Sequence, residues 1–307
     1  MKKLSEGRKM YLSVMVIFAI YAIIFILFED YDRHFLKPFE ENSDWHLLLF
    51  SAVVMAGLAF LLHRYANRMD ERISQEQSDK ENRMRRELTQ NISHELKTPV
   101  ASILGYTETI LEHPNMSDET RQQFLKRTQS QARRLTALLQ DLSTLNRMDY
   151  ANDLINMENI NVSHIVADIV KETELSALKK HMTVRNELPQ GIMVNGNQSL
   201  VYSIFRNLMD NAINYAGDGT SIQISALEQG DKWVFSFSDN GTGIPAEHLT
   251  RIFERFYRID KGRSRSLGGT GLGLAIVKNA VTLHGGTIKA QPAPEGGLCF
   301  EFTLKKK

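Results

Sequence analysis

The hydrophobic pattern changes character several times along the chain, and each change predicts a different element. Two uncharged runs come first, Tyr11 to Phe28 and Trp45 to Leu62, each 18 residues. As helices they would span about 27 Å, enough to cross a bilayer. Arg64 to Arg86 is polar, with Met69, Ile73 and Met84 near one face. It predicts a helical connector able to pair weakly with a second copy. From Leu88 onward Leu88, Ile92, Leu96, Pro99, Ile103, Tyr106 and Ile110 recur at spacings of 3 and 4. That is the stripe of a helix packed into a bundle. Pro114 stops the helix, and Ser117 followed by Asp118 and Glu119 caps a second one carrying Phe124, Leu135, Leu138, Leu142 and Leu145 to about Tyr150. Two helices cannot bury such stripes alone, so two copies of the hairpin predict a four-helix bundle and a homodimer.

Beyond about Ile155 short strands alternate with helices, the pattern of an α/β sandwich. Ser163 to Lys180, Gln198 to Ala216 and Leu274 to His284 predict helices; Ser221 to Leu227, Lys232 to Ser238, Gly286 to Ala290 and Leu298 to Leu304 predict strands. The expected organisation is a membrane region 1–63, a linker 64–86, a dimerisation hairpin 87–154 and an α/β domain 155–307.

Composition changes this picture little. The 307 residues are 42% apolar and 24% charged, with a net charge of +1, which gives no ground for a nucleic-acid partner. Cys299 is the single cysteine, so neither a disulfide framework nor a cysteine metal site is available. Charge matters more at the spans. Lys2, Lys3, Arg8 and Lys9 precede the first and Arg64, Arg68 and Arg72 follow the second, so the expectation is a multi-pass protein of the cell membrane with both termini cytoplasmic. The first run is too long for a signal peptide, and no small-residue cleavage site follows it. The connecting loop, residues 29–44, holds six acids (Glu29, Asp30, Asp32, Glu40, Glu41, Asp44) against Arg33 and Lys37. Sixteen residues cannot enclose a small-molecule pocket. Sensing therefore falls to the spans, in contact with membrane lipid, to a membrane partner protein, or to charge on the loop.

The first candidate chemistry is His94, which lies roughly opposite the Leu88–Ile110 stripe and so faces solvent. An exposed histidine is ordinarily just a surface residue. Here Thr98 sits one turn away and Pro99 removes a backbone hydrogen bond in mid-helix, at a cost of roughly 3 kcal/mol. A neighbouring carboxylate such as Glu95 can hold one imidazole N–H and leave the other nitrogen as a nucleophile, provided its rotamer reaches back. This segment, His94-Glu95-x-x-Thr98-Pro99, resembles the phospho-accepting histidine box of sensor histidine kinases.

Four further patterns lie in the α/β half. Asn207 and Asn211 are one helical turn apart with Tyr215 on the same face, and paired amides can bind a hard cation or phosphate, though surface Asn pairs are common. Asp239-Asn240-Gly241-Thr242-Gly243 follows a strand; the acid can accept from an exocyclic amine, and the same residues also make a good turn. Phe253, Phe256 and Tyr257 cluster beside Arg255 and Arg258; the ordinary reading is core packing for the rings and solvated charge for the arginines. Gly268-Gly269-Thr270-Gly271-Leu272-Gly273 opens a helix and offers N–H groups to phosphate. No strand precedes that loop, so it is not a dinucleotide fingerprint, and no P-loop occurs.

In this order the motifs resemble the Bergerat-type ATP-binding domain shared by histidine kinases and gyrase-type ATPases. The resemblance implies that Asn211, helped by Asn207, holds Mg²⁺, that Tyr215 lines the nucleotide pocket and that Asp239 reads the adenine amine. It implies further that Gly241 and Gly243 let the backbone approach the base, that Gly269, Thr270, Gly271, Leu272 and Gly273 hold the ATP phosphates beneath a lid, and that Arg258 assists γ-phosphoryl transfer. The phosphoryl group on His94 would pass to an aspartate of a separate response regulator, with Thr98 serving a phosphatase reaction that removes phosphate from the regulator. Asn214 departs from the family, which often has a basic residue there. Two other classes remain: a gyrase-type ATPase, which would need a glutamate where Asn207 stands, and a nucleotide-binding sensor or scaffold that transfers nothing.

Overall fold

The computed structural model describes residues 20, 22–31, 45–150, 156–259 and 269–306. Most of the first expected span, most of the acidic loop, and Asp260 to Gly268 lie outside the described residues. The chain divides into two compact units, Met1–Arg86 and Glu87–Lys307.

In the first unit residues 22–31 form helix α1, and the long helix α2 begins at Trp45 and runs to Glu112 in the second unit. In its first part apolar side chains are exposed: Ile23, Ile26 and Leu27 of α1 and Val53, Phe60 and Leu61 of α2. Among the described residues no helix meets the length and hydropathy of a membrane span.

In the second unit the end of α2 packs against helix α3, Asp118–Tyr150, as an antiparallel hairpin: Tyr106 meets Phe124 with ring centroids 5.7 Å apart, and Glu95 meets Arg134 further along. The expected stripe is the packed face. Leu88, Ile92, Leu96, Ile103, Tyr106 and Ile110 are half-buried and Pro99 is buried, while His94 is exposed. Pro99 is accommodated inside the helix, and the connector and the histidine segment are one element rather than two. At the turn the Thr120 N–H donates to Ser117 Oγ at 3.2 Å, and Asp118 and Glu119 occupy the first turn of α3 as expected.

The rest is a two-layer α/β sandwich. Strands β1 (Glu158–Asn161) and β3 (Met193–Gly196) pair antiparallel in a small sheet. Strands β2 (Thr183–Asn186), β4 (Ser221–Gln229), β5 (Lys232–Asp239), β6 (Ile288–Pro292) and β7 (Leu298–Lys305) form the main sheet in the order β2-β4-β5-β7-β6. Only β2–β4 is parallel. Helices α4 (Val162–Leu178), α5 (Gln198–Tyr215) and α6 (Gly273–Leu283) supply the second layer. Asn161 and Asn197 cap α4 and α5 with their side-chain oxygens, which fixes where each helix starts. Alternating residues of β5 and β7 point inward, so Phe205 of α5 lands on Phe235 and Phe302, 5.5 and 5.4 Å away, and those two rings stack at 5.2 Å. All three are essentially dry. That plug fixes α5, and with it the asparagines on its other side.

Candidate active site

A cavity of about 820 Å³ opens between α5, the end of β5, the segment after Phe253 and the start of α6. Asn207, Asn211, Tyr215, Asp239, Gly243, Gly269, Thr270, Gly271, Gly273 and Arg258 all line it. Sequence separations of up to 66 residues are thus closed into one site. Two expected contributors sit behind the wall instead. Leu272 is fully buried as a packing residue, and Gly241 presses on the Ala216 backbone so tightly that a Cβ would lie 2.3 Å from its carbonyl oxygen.

The chemistry runs along the cavity. At one end Asp239 accepts the Gly241 N–H at 2.9 Å and also the Leu298 N–H. Burial pushes its carboxyl above the usual carboxylate range, and these two N–H bonds pull it back. A half-buried acid so held offers an acceptor to an amine entering the cavity. At the other end Gly271 takes φ +74°, a conformation that favours glycine, and α6 starts with no side-chain cap, leaving its first N–H groups for an anion. Asn207 donates Nδ2–H to Ser203 O at 2.8 Å, which turns Oδ1 toward Gly273, where a Cβ would come within 2.6 Å of it. The oriented Asn207 oxygen, with the Asn211 amide one turn on and also lining the cavity, supplies hard donors of the kind Mg²⁺ prefers, so the residues present fit the expected ion.

The aromatic cluster divides. Phe253 is core, edge-on to Phe300 at 6.2 Å, whereas Tyr257 lines the cavity, hydrogen-bonds His248 at 2.6 Å and lies under the Arg251 guanidinium at 4.4 Å. Phe256 holds φ +62°, uncommon for an aromatic residue, and donates its N–H to Gly271 O at 2.8 Å. Arg255, expected as ordinary surface charge, binds both Asp149 oxygens of α3 at 2.8 Å.

The hairpin reaches this site. Arg258 lines the cavity, donates to the Gly269 carbonyl and stands 3.5 Å from Glu95, which also pairs with Arg134 at 3.0 Å. Glu95 Oε2 is therefore directed at two guanidinium groups. Thr98 donates Oγ1–H to the His94 carbonyl at 3.2 Å. Sequence reasoning missed Asp141 of α3, which accepts from Thr270 Oγ1 at 2.7 Å and lines the cavity. Burial, and beyond it the charge of Asp210, raises the Asp141 carboxyl above its ordinary range, against the Thr270 hydrogen bond. No local pattern marks that residue, because its partner is 129 positions away.

A cavity with a half-buried acid at one end and an uncapped helix with paired amides at the other defines a nucleotide-binding sandwich, here joined to a histidine-bearing hairpin. Comparison with known proteins agrees. The family model described as Histidine kinase-, DNA gyrase B-, and HSP90-like ATPase matches residues 196–307, and that of the His Kinase A (phospho-acceptor) domain matches residues 84–151. Sensor-like histidine kinase SenX3 of Mycolicibacterium smegmatis is 34% identical over 220 residues, 72% of this chain and 57% of that protein. Sensor protein kinase WalK of Staphylococcus aureus is 32% identical over 293 residues, 89% of this chain and 68% of that protein. Among solved structures, Acinetobacter baumannii histidine kinase AdeS superposes with a TM-score of 0.57 at 25% identity, covering 70% of this chain and 98% of that one. The chain belongs to the sensor histidine kinase family. It spans a little over half the length of the SenX3 relative.

Proposed function

We propose that this chain is a membrane-bound, ATP-dependent protein-histidine kinase that phosphorylates itself on His94 and passes the phosphoryl group to an aspartate of a response regulator. The observation that carries the reading is the ion pair between Arg258, on the wall of the nucleotide cavity, and Glu95, the residue next to His94. It couples an exposed nucleophile to the site that would hold its phosphoryl donor.

In the proposed step an imidazole nitrogen of His94 attacks the γ-phosphorus of ATP in line with the leaving oxygen of ADP. The new N–P bond forms as the P–O bond breaks, ADP departs with the electron pair, and the imidazole loses a proton. Asp239 holds the base, the Gly269–Gly273 loop and the start of α6 hold the phosphates, and Asn207 and Asn211 hold Mg²⁺, which when bound neutralises phosphate charge. Arg258 adds a cation on the transfer side. Asn207 argues against a gyrase-type ATPase, since an amide that donates to Ser203 O cannot take a proton from water.

Three further parts of the reading have their own support. Val100, Leu104, Leu111, Leu125 and Leu139 are exposed on the hairpin, which suits a second copy completing a four-helix bundle. The exposed apolar residues of α1 and of the start of α2 suit membrane lipid, with sensing through the spans, a membrane partner protein or the acidic loop. The Thr98 hydroxyl, one turn from His94, suits removal of phosphate from the regulator. Incubating wild type and His94→Gln with radiolabelled ATP tests the core of the proposal. Label that is stable in alkali, lost in acid and absent from His94→Gln is expected; acid-stable label surviving the substitution overturns it.

A further inference from the structure

The turn between β6 and β7 belongs to none of the motifs, yet it touches the base-reading end of the cavity. It closes tightly, with the Gly296 N–H on Ala293 O at 3.1 Å, and Gly296 and Gly297 take φ +92° and +83°. The two glycines face different surroundings. A Cβ on Gly296 would meet nothing nearer than Gly241 O at 3.7 Å. One on Gly297 would lie 2.1 Å from Asp239 O, 2.5 Å from Gly241 N and 2.6 Å from Asp239 Oδ1. Backbone and carboxyl of Asp239 are thus packed directly on the Gly297 Cα, and the next residue, Leu298, donates its N–H to that carboxyl. Gly243 closes the same seam, since its Cβ would be 2.9 Å from Gly297 O.

Resting on the reading of Asp239 as the group that recognises the adenine amine, we propose that Gly297 is a positioning residue for nucleotide specificity. It lets the β6–β7 turn lie against Asp239, so that the Gly241 and Leu298 N–H groups fix one carboxylate orientation and leave an acceptor for an exocyclic amine. A guanine presents a carbonyl where adenine presents that amine, and a fixed carboxylate repels it. A side chain at position 297 must push Asp239 away, and the preference for ATP over GTP narrows. Losing the Leu298 N–H also removes a bond that holds the Asp239 carboxyl down against burial, so acid then weakens ATP binding at a higher pH than in wild type.

The test measures ATP and GTP affinity of the purified full chain by displacement of a fluorescent ATP analogue, across pH, in Gly297→Ala, Gly296→Ala and Asp239→Asn. Gly297→Ala is expected to weaken ATP binding by about tenfold, the value of one charge-assisted hydrogen bond, and GTP binding far less, with the acid limb of ATP affinity moved up. Gly296→Ala carries the same left-handed strain without the contact. It is expected to lower the melting temperature and keep the ATP preference, which separates positioning from mere stability. If both alanine variants keep the wild-type preference, the inference is overturned while Asp239 stands. If Asp239→Asn itself leaves the preference unchanged, the base-reading role fails and the inference with it. Should Gly297→Ala not fold, Leu298→Pro deletes the N–H donated to Asp239 at the first position of β7 and is read by the same criteria.

Discussion

Arg258 and Glu95 stand 3.5 Å apart although 163 positions separate them, and both side chains are largely shielded, at 7% and 16% exposure. Arg134 approaches the same carboxylate oxygen at 3.0 Å. One acid of the hairpin therefore balances a guanidinium from each half of the unit. Glu95→Gln keeps the shape and removes the negative charge that both guanidinium groups approach. It is expected to destabilise the protein by roughly 1–3 kcal/mol, as for removal of one partner from a shielded, hydrogen-bonded pair. Urea unfolding followed by circular dichroism checks this; a change within about 0.5 kcal/mol of zero would mark the pairs as ordinary surface contacts.

Gly271 combines φ +74° with neighbours at 3.1 Å, the Arg258 Nε and the Phe256 Cα, at the place where its Cβ would be. Gly271→Ala meets backbone strain of about 1–3 kcal/mol and displaces the Phe256–Gly271 hydrogen bond as well. Weaker binding of ATP is expected together with a lower melting temperature. Wild-type affinity in a calorimetric titration would show that the loop adapts without using this conformation.

Much of this was legible in the chain because the signals were local. The Leu88–Ile110 stripe gave the packed face of α2 and put His94 outside it, and the expected strands of the main sheet lie within two residues of β4, β5, β6 and β7 at both ends. The four-residue strands β1, β2 and β3 escaped notice since four residues show too little alternation to separate from loop. At the site most of the motif residues line one cavity, with Gly241 and Leu272 behind its wall. Glu95 could not be assigned its partners, because contact with Arg134 and Arg258 depends on how a helix 39 positions away and a loop 163 positions away are packed. Gly297 was likewise hidden. Its Glu-Gly-Gly context reads as any tight turn until β7 is laid beside β5.

The Thr98 hydroxyl donates to the backbone oxygen of His94 at 3.2 Å, a bond that a helix does not need. Thr98→Ala should accordingly cost little stability and leave autophosphorylation within about twofold, since exposed helical alanine is favourable. Dephosphorylation of the phosphorylated regulator is expected to slow markedly. A parallel loss of both activities would identify the residue as structural.

Asp141 gives the pH dependence a definite sign. Burial first, then the nearby charge of Asp210, raises its folded-state pKa above the ordinary 3.8, against the pull of the Thr270 hydrogen bond. A group whose pKa is raised on folding favours the folded state below its unfolded pKa, and that contribution is lost as pH rises through the folded value. At neutral pH the charged carboxylate is thus a cost, borne in a cavity that Lys180 and Arg258 share with Asp210, Asp218 and Asp239. Asp141→Asn keeps an oxygen for the Thr270 hydroxyl and removes the charge. Its melting temperature should exceed that of wild type at pH 7.5, by about 2–4 °C, and the gap should close toward pH 4. The same change takes a negative charge from beside the glycine loop, so ATP affinity should rise at pH 7.5. A gap that widens on acidification would show that Asp141 is ionised and favourable in the folded protein, held by Thr270 more strongly than burial opposes it.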